Sequence, residues 1–302
     1  MAFDPNVKLT KENIISLPPL CTDGAWGTEM AKLGAQPGQM CDPWNVDEPE
    51  KVFSVAKGYV DAGAHIILTN TFNSNRIALE KHGLADRAAE ISMAGAAISR
   101  RAAAGKAYVF ASIGPCGKLV MMGEIAPGEV EDSAAEQAEA LAAGGADAIV
   151  IETQTDLAEA EAVLKGALKG CGLPVGLSFT FDSGENRDHT MMGVSIPQAC
   201  ELAKANGASF AGANCGAGIE TFVSIAGQYA ACGSGLPIWV KGNAGLPEVD
   251  DAGNTVFRAS PGLYAAAVPG LLKAGARFIG GCCGSTPEHI RATAAALAAA
   301  LA

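Results

Sequence analysis

Eight short runs rich in β-branched and aromatic residues recur along the chain, and each is separated from the next by a stretch with helical spacing. They are PLCTDG (19–24), HIILTNT (65–71), AYVFASIGP (107–115), AIVIETQT (148–155), PVGLSFTF (174–181), FAGANC (210–215), PIWVKGN (237–243) and RFIGGCC (277–283). The segments between them, among them 49–64, 86–105, 133–146, 156–170, 196–208 and 261–276, place apolar residues three and four apart and are rich in Ala, Glu, Lys and Leu. Several end on DAGA, AAGGA, KANGA or KAGA just before the next run, which is where glycine stops a helix and turns the chain into a short loop. Strict alternation of strand and helix calls for parallel strands with crossover helices. Eight such units in 302 residues predict a single-domain (β/α)₈ TIM barrel with its core at about 18–292. The doubly wound sheet is the rival architecture, but the first run leads into DGAWGTEM and not into the glycine fingerprint that binds dinucleotides.

Charge narrows the partners. With 21 basic against 32 acidic residues the net charge is −11, which speaks against nucleic acid and against an anionic membrane surface. No apolar run approaches the ~20 residues a membrane span needs, and the opening MAFDPNVKLTKEN lacks the layout of a secretory signal, so a cytoplasmic protein is expected. In a reducing compartment the nine cysteines are more naturally core residues, metal ligands or nucleophiles than disulfides.

A barrel builds its active site at the C-terminal ends of its strands. The polar residues that fall there are Asp23, the Thr69–Asn70–Thr71 run, Glu152 and Thr153, Asn214 and Cys215, Lys241 and Asn243, and Cys282 and Cys283. Taken singly, each is more often a turn former or a helix cap; their convergence on one face is what argues for a site. Among the cysteines, Cys171 and Cys232 precede strands on the opposite face, Cys200 sits on a helix and Cys21 lies within the first strand. All four read as packing residues. Cys41 and Cys116 lie in loops nearer the mouth. Cys215, Cys282 and Cys283 end strands six and eight, flanked by glycines, and three thiolates with a fourth position open suit zinc. Neighbours in a strand point to opposite faces, so Cys282 and Cys283 can share an ion only if the chain bends, which Gly280, Gly281 and Gly284 permit. A metal-free buried thiol pair or a redox-active vicinal pair is the other reading. Three thiolates leave zinc a poor activator of water but a good holder of a further thiol, a design suited to alkyl transfer onto sulfur. Asn243 could occupy the open position when no thiol is bound.

GANC with Cys215 and GGCCGSTPEHIRA with Cys282 and Cys283, together with DGAWGTE, ILTNTFNSNR, IGPCG, IETQTD and NAGLPE in order, make the chain resemble the homocysteine S-methyltransferase family over nearly its whole length. The resemblance implies a zinc-dependent methyltransferase in which the three cysteines hold Zn²⁺ and a zinc-bound thiolate, most naturally homocysteine, takes up the methyl group. No other catalytic group is implied. Asp23 and Glu152 would receive the substrate's amino group, and backbone N–H groups near Gly24 or Gly114 its carboxylate. A packing ion pair between Glu152 and Lys241 is the alternative for that carboxylate. The motifs look closer to the methionine-synthase module than to the betaine or S-methylmethionine branches. With no cobalamin-binding histidine motif in the 302 residues, a methylcobalamin donor is expected to arrive on a separate corrinoid protein. Three alternatives stay open: a corrinoid system that demethylates a different substrate or uses a different acceptor, direct transfer from S-methylmethionine or betaine, and a non-catalytic zinc-binding protein. One departure stands out. The segment before Asn243 reads V-K-G-N where the family commonly has V-K-P-N, so Gly242 is expected to loosen that strand.

Overall fold

The computed structural model describes residues 3–250 and 255–302. Eight parallel strands form the barrel: β1 (Leu20–Cys21), β2 (Ile66–Ile67), β3 (Tyr108–Ile113), β4 (Ala148–Gln154), β5 (Val175–Phe179), β6 (Phe210–Gly218), β7 (Ile238–Asn243) and, after a two-residue hairpin pair β8 (Glu248–Val249) and β9 (Thr255–Val256), β10 (Ala276–Gly281). Their order around the sheet is β1-β10-β7-β6-β5-β4-β3-β2. A parallel bridge between Thr22 and Ile66 and the bond from His65 N to Cys21 O at 2.8 Å close the ring. All eight runs read from the sequence are therefore strands, and the barrel is the fold expected.

Helices fill the outside: Pro49–Asp61, Ala88–Ala103, Pro127–Ala143, Leu157–Gly170, Ile196–Ala205, Phe222–Ala231, Pro261–Lys273 and Pro287–Leu301 are the principal ones. Local chemistry starts them. Asp156 accepts from the N–H groups of Ala158 and Glu159, and Ser260 from that of Leu263, while proline occupies the first turn of five of these eight. In Pro49–Asp61 the residues Val52, Val55, Ala56, Tyr59 and Val60 recur at the helical period and are buried. Phe222–Ala231 escaped the sequence reading, as did the β8–β9 hairpin.

Strand alternation divides the barrel interior into layers. In the lower layers Phe110, Phe210, Trp239 and Phe278 pack ring to ring at centroid distances of 5.5–6.1 Å. Gly176 leaves the space this needs, since a Cβ there would come within 2.0 Å of the Phe210 ring. Leu9, Ile14 and Leu17, from the segment ahead of β1, join the same cluster. Two residues beyond Leu20, Phe110, Val150 and Trp239 the character changes to Thr22, Ser112, Glu152 and Lys241, and on β6 Asn214 lies four beyond Phe210; all five are buried.

Candidate metal centre and substrate cavity

Above that polar layer a cavity of about 320 Å³ opens at the C-terminal ends of the strands, with Cys215, Cys282, Cys283, Glu152 and Lys241 in its wall. The three cysteine sulfurs lie within 4.8 Å of one another, and Cys215 Sγ is 3.4 Å from Cys283 Sγ.

Two departures from strand geometry produce the cluster. After the register pair Asn214–Lys241, β6 bulges and resumes pairing only at Gly218–Asn243, and within the bulge Cys215 is left-handed at φ 61°. A bulge of this kind re-aims one side chain without ending the strand. At the end of β10 the chain turns, with Ser285 N bonding back to Cys282 O at 3.1 Å and Gly284 at φ 78°. The turn brings the sulfurs of the adjacent cysteines together with that of Cys215, but the glycines divide the work differently. Gly284 supplies the left-handed turn, whereas Gly280 and Gly281 allow close approach, since added Cβ atoms would fall 1.9 Å from Thr22 Oγ1 and 2.2 Å from Ser285 Oγ.

The expectation that Gly242 loosens β7 is corrected. Its carbonyl accepts from Cys282 N and from the Tyr264 hydroxyl, both at 2.7 Å, and a Cβ at this position would meet Ile219 Cα at 2.6 Å. Gly242 thus fastens β7 to the Cys282 turn and admits the returning end of β6.

The donor set fits a soft divalent ion. Without one, the thiols resist ionisation: the hydrogen bond with Cys215 and burial hold the Cys282 thiol well above its ordinary range. A cation among the sulfurs is what would allow them to become thiolates. Asn243 ends β7 nearby with its Oδ1 buried and without a hydrogen-bond partner, although it stands outside the residues that wall the cavity.

Asp23 and Glu152 differ sharply. Asp23 is fully buried; its Oδ2 accepts from Trp26 Nε1 at 2.8 Å and from Leu68 N at 2.7 Å, and its Oδ1 pairs with Lys241 Nζ. The lysine partner is therefore Asp23, and the alternative ion pair between Glu152 and Lys241 is not formed. Glu152 Oε1 has the Ser112 hydroxyl as its partner. Burial raises the Glu152 carboxyl above its usual range, opposed by the Lys241 charge and the Ser112 bond.

Gly24 lines the cavity, whereas Gly114 does not, and its N–H already donates to Phe72 O at 2.8 Å. Asn70, Thr69 and Cys41 also line the wall, while Cys21 packs in the core and its thiol is pushed up to about 12 by burial. Cys116 is buried beneath the β3 loop, bonded through its N–H to Glu159.

Sequence reasoning missed Asp42. It lines the cavity, accepts from Asn73 N at 2.7 Å, and is raised by burial to about 6. Its only signal was a carboxylate beside Cys41 in a loop after the first strand. None of the four histidines is among the residues lining the cavity.

A family model described as homocysteine S-methyltransferase matches residues 20–297. The chain is 31% identical to methionine synthase from Mycobacterium tuberculosis over 304 residues, covering 95% of this chain and 25% of that protein. It is 32% identical over 266 residues to methionine synthase from Mycobacterium leprae, covering 84% of this chain and 22% of the other. The chain thus spans about a quarter of the length of these relatives. In structure it is similar to the metallated form of the homocysteine methyltransferase MmuM from Escherichia coli, with a TM-score of 0.77 at 22% identity, covering 94% of this chain and 98% of that one. A methyltransferase from Methanosarcina mazei gives a TM-score of 0.66 at 13% identity over the whole of both chains. The barrel, the cysteine cluster at its mouth and the match across residues 20–297 agree, and the chain belongs to the homocysteine S-methyltransferase family.

Proposed function

We propose that the protein methylates the sulfur of homocysteine, that Cys215, Cys282 and Cys283 hold a zinc ion for this purpose, and that the methyl donor is a methylcorrinoid carried by a separate protein. The observation that carries the reading is the convergence of three sulfurs within 4.8 Å on a cavity that also exposes Glu152. When bound, zinc lowers the pKa of the acceptor thiol, which then reacts as a thiolate at neutral pH while keeping the nucleophilicity of sulfur.

The chain supplies position and charge. Glu152, with Ser112 as its partner, is the carboxylate available to the substrate ammonium. Asp23 already satisfies three donors, so its part is to anchor Lys241 and to place negative charge behind Glu152. Backbone N–H groups at Gly24 are the remaining candidates for the substrate carboxylate. In the transfer step the sulfur attacks the methyl carbon in line, a C–S bond forms, and the old bond breaks with its electron pair left on the donor. No proton moves in that step, which agrees with a cavity wall without histidine. A volume of about 320 Å³ suits a small amino acid and is too small for a corrin ring, which supports a donor that docks from outside.

The test is to mix the zinc-loaded protein with a methylated corrinoid protein and homocysteine, following the cobalt spectrum together with methionine formation. Demethylation of the corrinoid with stoichiometric methionine is expected, and removal of zinc by a chelator should stop it. Turnover with another thiol but not homocysteine would reassign the acceptor. Turnover with S-methylmethionine or betaine alone would reassign the donor.

A further inference from the structure

Backbone strain is concentrated around the cavity. Four non-glycine residues among those described have positive φ, and three of them, Thr153 (65°), Arg187 (50°) and Cys215 (61°), are at or beside the metal centre. For a β-branched threonine this conformation is particularly unfavourable, so the surroundings must hold it there. Thr153 sits in a bulge of its own. β4 pairs with β5 at Ile151–Leu177 and resumes at Gln154–Phe179, with Glu152 and Thr153 in between. The β6 bulge carries Cys215. Each bulge therefore presents one functional side chain, Glu152 from β4 and Cys215 from β6.

One buried side chain ties the two bulges together. Asn214 Oδ1 accepts from Thr153 N at 3.0 Å and from Ser178 Oγ at 2.6 Å, and its Nδ2 donates to Thr153 Oγ1 at 2.8 Å. Its own carbonyl accepts from Thr180 Oγ1 at 2.9 Å, which fixes the backbone one residue before Cys215. Asn214 is fully buried, its amide oxygen is saturated, and it bridges β4 to β6 across β5. On the far side of Cys215, Arg187 Nη1 holds Gly216 O at 2.9 Å.

We infer that Asn214 is a positioning residue that sets the spacing between Cys215 and Glu152, and hence between the sulfur end and the ammonium end of the substrate. The inference rests on the proposed function and deepens it. Because the amide holds Thr153 in a conformation it would otherwise leave, losing the amide lets the β4 bulge relax and carries Glu152 away from its place relative to the cysteines. Recognition of the amino group should then suffer more than zinc binding.

The test is calorimetric. Zinc binding is measured first, and then the zinc-loaded protein is titrated with homocysteine and with 4-mercaptobutyrate, which lacks the amino group. In Asn214→Ala the preference for homocysteine over the desamino thiol should fall about tenfold or more, with one zinc still bound. Adding Thr153→Gly should restore part of that preference, because glycine adopts φ near 65° without strain. A residue that merely fills space would not be rescued by a change at position 153. Should Asn214→Ala fail to fold, Thr153→Val decides the matter, since it keeps the shape and removes only the Oγ1 acceptor; a several-fold loss of preference is expected. Unchanged preference in the folded variants, beside a wild-type protein that binds zinc and prefers homocysteine, would overturn the inference alone. A wild-type protein that binds no zinc would overturn the functional reading and this inference with it.

Discussion

The lower and upper halves of the barrel interior are built by the same strands two residues apart, yet they serve opposite ends. Phe110 gives way to Ser112 on β3, Val150 to Glu152 on β4 and Trp239 to Lys241 on β7. Below, four aromatic rings and the leucines and isoleucine of the leading segment pack with no charge among them. Above, a buried lysine and two buried carboxylates crowd beside three thiols, a combination that costs stability unless every charge finds a partner. One period of strand alternation is enough to separate the half that holds the fold from the half that carries the proposed site. Substitutions below should lose stability and keep the site; substitutions above should lose the site and keep the fold.

The sharpest break between the halves is expected at Cys283. Cys283→Ala should abolish both stoichiometric zinc binding and thiol methylation, while the melting temperature of the metal-free protein stays within a few degrees of wild type. Metal analysis and a thermal melt on the same sample check this, and methylation that persists without zinc would break the assignment. In the lower half, Phe210→Ala should cost about 3–5 kcal/mol of stability, as truncation of a buried aromatic does. The same variant should bind zinc with unchanged stoichiometry, so denaturant unfolding and a zinc titration test both sides of the comparison.

Asp42 sharpens the contrast through pH. Its folded pKa of about 6 lies above the value of ~3.9 expected of an unfolded aspartate. Between those values the folded state binds the extra proton, so stability falls as pH rises from about 4 to about 6, by at most ~3 kcal/mol. Asp42→Asn should remove that fall, which melting temperatures across pH 4–7 would reveal; an unaltered pH profile would contradict the assignment. The smallest effect expected is on Glu152→Gln, which should weaken homocysteine binding about tenfold, roughly 1.4 kcal/mol, with zinc retained. Since the wild-type carboxyl is raised by burial, the proposed recognition of the ammonium should be lost as pH falls through that elevated pKa, and the acid limb of binding should vanish in the variant. Calorimetry at several pH values measures both.

The barrel was legible because each strand carries its own apolar run and each helix its own period, both local properties. The cysteines were legible because GANC and GGCC announce strand ends at which glycine and thiol coincide. What escaped depends on residues far apart in the chain. Lys241 selects Asp23 over Glu152 through a contact spanning 218 positions, and nothing near either residue favours one carboxylate over the other. The helix Phe222–Ala231 was hidden by glycine and β-branched residues within it, and it forms because Phe222, Ile225, Ala226 and Tyr229 find the sheet. Gly242 looked like a source of looseness because its neighbours in space, Ile219 and the Cys282 turn, cannot be read from V-K-G-N. The strained conformations of Thr153 and Cys215 left no trace in composition, since neither residue type favours positive φ.

The central claim is that Cys215, Cys282 and Cys283 together hold zinc and leave room for the acceptor sulfur. X-ray absorption at the zinc edge tests it directly. Three sulfur neighbours in the resting protein, rising to four when homocysteine is added, is the predicted result. Fewer than three sulfurs, or a coordination shell that homocysteine leaves unchanged, would contradict it.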